Sequence, residues 1–274
     1  MLSALDQEQG VARCIEAGAD DFIAKPFNFI FLQARLAACL EKRFLRELER
    51  QHLAEIQTER EKSERLLLNI LPRTISDRLK LGETMIADHF EAGTVLFADL
   101  VGFTPLSRTM PPLALVELLN DIFTRFDELA GGLVLEKIKT IGDTSMVAVG
   151  VPVPRPDHAQ AAATLALRLV AALHDISDSR NLSLNLRVGL HSGPVAAGII
   201  GRNKFSYDVW GDTVNTASRM ESSSLPWEIQ VSAATAALLG PGYTLETRGL
   251  VPVKGAGSME TFLLRSAKAA TGMS

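Results

Sequence analysis

The stretch LEKIKTIGD at residues 135–143 sets Lys139 four residues ahead of Asp143. A strand rises ~3.3 Å per residue, so on one strand the two would stand ~13 Å apart, far enough to span a nucleotide. A lysine can donate to a base and an aspartate can hold a hard cation, and the spacing leaves open whether both serve one bound molecule. A second carboxylate, Asp99, closes the apolar part of TVLFADLVGF at 94–103, while Asp143 follows Gly142 at a tight turn. The two aspartates can project from one edge of a sheet, where paired oxygens suit magnesium or manganese bridging phosphates. Aspartates also occupy strand ends and turns for conformational reasons, and the pair alone does not separate the two readings.

Further along, YDVWGDTVNTASRME (207–221) begins as a strand and turns helical after Gly211, placing Asn215 and Arg219 four residues apart on one helix face. An amide beside a guanidinium fits a sugar oxygen and a phosphate, because arginine offers a planar fork of donors that stays charged. An exposed helix surface carries the same two residues without any ligand. His191, at a strand end, and Trp210 read as structural.

These residues need elements to hold them. From Gly93 to Leu264 apolar runs alternate with helical patterns. LALVELLNDIFTRFDELAGG and HAQAAATLALRLVAALHDI predict helices, LSLNLRVGLHSG a strand, and VLEKIKTIGDTSMVAVG two strands joined at Gly142-Asp143, a pair that tolerates a two-residue hairpin. The pattern predicts an α+β domain with helices packed on a mainly antiparallel sheet.

Ahead of it, residues 40–70 are rich in Glu, Arg and Leu without Gly or Pro, which predicts a long helix. Leu45, Leu48, Leu53, Ile56, Leu67 and Ile70 form a heptad broken at Arg60 and Ser63. A parallel dimeric coiled coil and a solvated connecting helix both fit it. Pro72 should kink or end that helix. The first forty residues, too few for a core of their own, suggest a short helix, the strand-like DDFIAKPF and a second helix from near Asn28.

The chain of 274 residues is 47% hydrophobic with a net charge of −4, long enough for one large or two modest cores and without the basic face of a nucleic-acid binder. Its two cysteines, Cys14 and Cys39, exclude a disulfide framework and a Cys-based zinc site in the remainder, which fits a reducing cytoplasm. No run of about eighteen apolar residues is present, so neither a membrane span nor secretion is expected.

In combination, LFADLVGFT, EKIKTIGD, GLHSGPVAAGIIG and YDVWGDTVNTASRMES resemble the catalytic domain of class III nucleotidyl cyclases, and LLLNILPRTISDRLKLGE resembles the linker that precedes such domains. The resemblance implies a palm-type, ferredoxin-like sheet over residues 93–265 after a linker at 73–92; the helix read from its heptads as a coiled-coil signalling helix is placed at 41–72, and a tail at 266–274. It implies that Asp99 and Asp143, with Leu100 beside them, bind two divalent cations, Mg2+ or Mn2+. Asn215 matches the ribose-orienting amide, Arg219 the arginine that stabilises charge on the reacting phosphate, and Lys254 in VKGAG a lysine for the terminal phosphates. Lys139 and Asp208 match the base-reading positions. A lysine donor can meet adenine N1 and an aspartate can accept from the exocyclic amine, whereas guanine presents the opposite polarity. The expectation is an adenylate cyclase acting on ATP, with a guanylate cyclase or a catalytically silent nucleotide-binding dimerisation module as the alternatives. In this family the site forms between two catalytic domains, so a homodimer with two composite active sites is implied. EAGADDFIAKPFN at 16–28 resembles the last third of a response-regulator receiver domain, with Lys25-Pro26 closing a strand and Ser3 at the switch-hydroxyl position. The strands for its phospho-accepting aspartate would precede Met1, and a longer receiver would place a histidine kinase upstream. Lys25 is also read simply as a surface lysine before a turn proline.

Overall fold

A computed structural model of the chain describes residues 2–3, 16–19, 23–24, 26, 28–201, 206–253 and 257–268. Cys14, Lys25 and Lys254 lie outside the described residues. The chain divides into two compact units, Met1–Leu67 and Leu68–Ser274.

In the first unit, strands β1 (Leu2–Ser3) and β2 (Ile23–Ala24) pair in parallel, Leu2 against Ile23 and Ser3 against Ala24. Helix α1 then runs unbroken for 40 residues, Phe29–Leu68. The sequence pattern suggested one helix from near Asn28 and another from residue 41. They are one, because no Gly or Pro lies between Phe29 and Leu68 to interrupt the backbone ladder. Asn28 caps the start, its Oδ1 accepting from the Ile30 N–H at 2.9 Å. The helix stops at Leu68, ahead of Pro72, whose ring disfavours helical geometry in the residue before it. No α1 residue is buried: Leu45, Leu53 and Ile56 are exposed, and the surface carries i,i+3 ion pairs such as Glu47–Arg50 and Glu59–Lys62.

The second unit opens with α2 (Arg73–Lys80), within the segment expected to be linker, and its first strand, β3 (Ala87–Val101), starts six residues before Gly93. There follow α3 (Phe103–Thr109), α4 (Pro112–Gly132), the hairpin β4 (Glu136–Ile141) and β5 (Thr144–Val149), α5 (His158–Arg180), β6 (Asn185–Ile200) and β7 (Ser206–Trp210). The chain continues through α6 (Asp212–Ser222), β8 (Ile229–Ser232), α7 (Ala233–Leu239), a 3-10 turn at Gly240–Gly242, and the hairpin β9 (Tyr243–Val253) and β10 (Gly257–Ala267). The strands form one sheet in the order β4-β5-β3-β6-β8-β10-β9, with β7 paired to β6. β6 and β8 are parallel; the other paired strands of this sheet are antiparallel.

Alternation along the central strands sorts the sheet into two faces. Leu96, Ala98 and Leu100 of β3 and Leu186, Val188 and Leu190 of β6 enter the core beneath α4 and α5, which contribute Leu118, Ile122, Phe126, Leu165, Leu169 and Leu173. Each of these Leu, Ile, Val and Phe side chains contributes ~1.5–3 kcal/mol when fully buried. Asp99 of β3 and Arg187 and Gly189 of β6 take the alternate positions and face the other way. On that face α6 lies against β6 so closely that a Cβ on Gly189 would stand 1.9 Å from the Glu221 nitrogen. The glycine is required by that approach and not by its backbone angles.

No helix among the described residues is long and apolar enough to cross a membrane.

Candidate active site

The β4–β5 hairpin turns at Gly142-Asp143, with Ile141 paired to Thr144 and Gly142 at φ 64°, where a side chain would be strained. The turn brings Asp143 back to the end of β3, and its carbonyl accepts from the Leu100 N–H at 3.3 Å. Asp99 lies directly opposite Thr144 on one side and Arg187 on the other. Its Oδ1 accepts from the Thr144 hydroxyl at 2.7 Å and its Oδ2 from Arg187 Nη2 at 2.9 Å. Arg187 Nε in turn donates to Glu221 Oε1 at 2.6 Å.

Burial, and next to it the negative charge of Asp99, push the Asp143 carboxyl above its ordinary value; Arg187 opposes the shift. Burial likewise raises Glu221 in spite of its bond to Arg187, with Asp99 and Asp143 adding to the rise. Three carboxylates, Asp99, Asp143 and Glu221, share this corner of the sheet with one guanidinium, that of Arg187. Such hard oxygen donors fit a divalent cation that shares the remaining positions with water and phosphate. Leu100 is 2% exposed with its side chain in the core, so it can offer such a cation only its main-chain carbonyl.

Lys139, on β4, forms an ion pair with Asp208 of β7. The Asp208 Oδ1 accepts from the Val209 N–H at 2.9 Å, which fixes the carboxylate beside the lysine. Lys139 and Asp143, four residues apart, are thus drawn to different partners. Asn215 is exposed and Arg219 half-buried on α6, a turn apart on one face. Among the described residues neither side chain has a hydrogen-bonding or ionic partner of the kind that holds Arg187. His191 lies within β6, opposite Val95, and not at a strand end as the sequence suggested; its Nδ1 is bonded to Ser232 Oγ at 2.7 Å. Trp210, read as a packing residue, is 36% exposed at the end of β7, which pairs with β6.

Sequence reasoning missed Thr144, Arg187 and Glu221. A lone arginine inside the apolar strand LNLRVGL was the available signal for Arg187. The glutamate carried none, since only its close approach to β6 buries it.

Residues 85–266 match the family described as "Adenylate and Guanylate cyclase catalytic domain", and the chain belongs to that family. It is 46% identical to an adenylate cyclase of Mycobacterium tuberculosis over 218 residues, 79% of this chain and 49% of the relative. It is 42% identical to guanylate cyclase 2G of Mus musculus over 226 residues, 81% of this chain and 20% of that one. The chain spans about half the length, or less, of these curated relatives. Among solved structures, the guanylate cyclase domain of RhGC from Catenaria anguillulae in complex with GTP superposes with a TM-score of 0.64 at 34% identity, covering 66% of this chain and 100% of that domain. The fold is the α+β cyclase palm, a mixed sheet flanked by helices, and the family works with divalent metal ions.

Proposed function

We propose that this protein is an adenylate cyclase, converting ATP to 3′,5′-cyclic AMP and pyrophosphate. The observation that carries the choice of base is the Lys139–Asp208 ion pair: a donor and an acceptor already side by side, in the polarity that adenine N1 and its amine require. The ribose 3′ oxygen attacks the α phosphorus in line, the bond to the pyrophosphate oxygen breaks, and the 3′ proton leaves to solvent. Arg219 stabilises charge at the α-phosphate, Asn215 orients the ribose and Lys254 binds the terminal phosphates. Asp99, Asp143 and the Leu100 carbonyl would hold two divalent cations, Mg2+ or Mn2+, which would supply Lewis acidity for the 3′ hydroxyl and positive charge for the departing pyrophosphate.

The active unit is a homodimer with two composite sites, one chain giving the aspartates and its partner Lys139, Asp208, Asn215 and Arg219. The exposed leucines of α1 support pairing of that helix with its copy as a coiled coil. Residues 1–40 are the end of a receiver-like segment, which through a longer receiver would connect the enzyme to a histidine kinase. The cytoplasm, where ATP is abundant and cysteines stay reduced, is its place.

The test is a cyclic-nucleotide assay with ATP and GTP, run with manganese and then magnesium. Cyclic AMP as the main product supports the reading. Cyclic GMP would make it a guanylate cyclase, and nucleotide binding without product would make it a silent module.

A further inference from the structure

Thr144, Asp99 and Arg187 form one row across three neighbouring strands, each in register with the next. Thr144 donates to one oxygen of Asp99 and Arg187 to the other, at 2.7 and 2.9 Å. An ionised carboxylate offers about four acceptor positions, two on each oxygen. The two bonds use one on each, so one on each remains, which suits a carboxylate shared between two cations.

A guanidinium beside a cation site would ordinarily cancel the charge that attracts the cation. Here Glu221, 7% exposed on α6, takes Arg187 Nε at 2.6 Å. Glu221 shares the guanidinium with Asp99, so Arg187 is not left to Asp99 alone and is held in its aim from both ends. Gly189 makes this reach possible, because only a residue without Cβ lets α6 bring Glu221 so near β6.

We infer that Thr144 and Arg187 are positioning residues of the cation site: they fix the plane of the Asp99 carboxylate so that one acceptor position on each oxygen faces a cation. The inference rests on the proposed metal-binding role of Asp99. Partners of this kind change metal affinity by about 10–100-fold when removed.

The experiment titrates Mn2+ into the full chain with 3′-deoxy-ATP, which lacks the attacking oxygen, and follows the free Mn2+ signal by electron paramagnetic resonance. Thr144→Val, and Thr144→Ala should the valine variant not fold, are expected to weaken Mn2+ binding about 10-fold or more, with Thr144→Ser restoring it. Arg187→Lys keeps the charge but cannot span Asp99 and Glu221 together, and the same loss is expected. Wild-type affinity in the Thr144 variants or in Arg187→Lys overturns the assignment. Asp99→Asn separates this from the underlying reading. Mn2+ bound normally by Asp99→Asn would remove the metal role itself, whereas loss there with no loss in the other variants removes only the positioning role.

Discussion

Lys139 on β4 and Asp208 on β7 are 69 residues apart in sequence and hold each other in an ion pair. Their strands are not hydrogen-bonded to one another: β4 pairs with β5 and β7 with β6. The side chains close that gap. The lysine is 41% exposed, so the pair is worth at most ~1 kcal/mol of stability, and under the proposed function its value would lie in what it presents to the base.

That separation of stability from recognition makes the pair a clean target. Lys139→Glu with Asp208→Cys reverses the hydrogen-bond polarity and should lower ATP turnover on the order of 100-fold while GTP turnover rises above background. Thermal unfolding should move by no more than a few degrees. Unchanged preference for ATP in the double variant would place base reading elsewhere.

Gly189→Ala tests the docking of α6. The added methyl would meet the Glu221 nitrogen at 1.9 Å and the Met220 carbonyl carbon at 2.4 Å, both backbone atoms that cannot rotate away. Overpacking of this kind costs ~3 kcal/mol or more, a drop on the order of 10 °C in the unfolding midpoint. Calorimetry showing a midpoint within a degree or two of wild type would mean that α6 is free to shift.

His158 gives stability a pH dependence. Its Nδ1 lies 2.7 Å from Thr94 Oγ1, which continues to Ser192 at 2.7 Å and Thr235 at 3.0 Å, all buried. Burial depresses the imidazole below its ordinary value, against a weaker upward pull from Asp157. The unfolded chain then binds a proton at ~6.5 that the folded chain resists, so this contribution is full above that pH and declines as pH falls below it. Urea unfolding at pH 7.5 and 5.5 should show a smaller pH-dependent loss in His158→Gln than in wild type. His191, also depressed chiefly by burial, supplies loss common to both. An identical loss in the two proteins would show that His158 is not the source.

The helices α4 and α5, the two-residue hairpin and the strand-to-helix switch at Gly211 were legible because each is a local pattern: a 3.6-residue period, a Gly-Asp pair, an apolar run meeting a glycine. The family came through its combined motifs, which lie within the matched residues 85–266. The hairpin β9–β10 was not legible, since GYTLETRGLVPV has weak alternation and sits at the sheet's edge, where one side of the pairing asks little of the sequence. Nor was the row Thr144–Asp99–Arg187, which depends on register between strands far apart in sequence. Register is a tertiary quantity, and no single strand carries it.

Lys139 pairs with Asp208 while Asp143 joins Asp99, so one chain sends the two residues of LEKIKTIGD to different clusters. In the homodimer proposed above, each composite site would take the aspartates from one chain and Arg219 from the other. Asp143→Ala and Arg219→Ala should each be inactive alone. Mixed where subunits exchange, half of the dimers are heterodimers, in which one site inherits both lesions and the other neither. Activity should therefore return to about a quarter of wild type. Were each site built within one chain, every site in the mixture would carry a lesion. The measurement is cyclic AMP formation after mixing, with heterodimers verified by differential tags. Verified heterodimers that make no product would refute the shared site and assign both LEKIKTIGD residues to one ATP molecule.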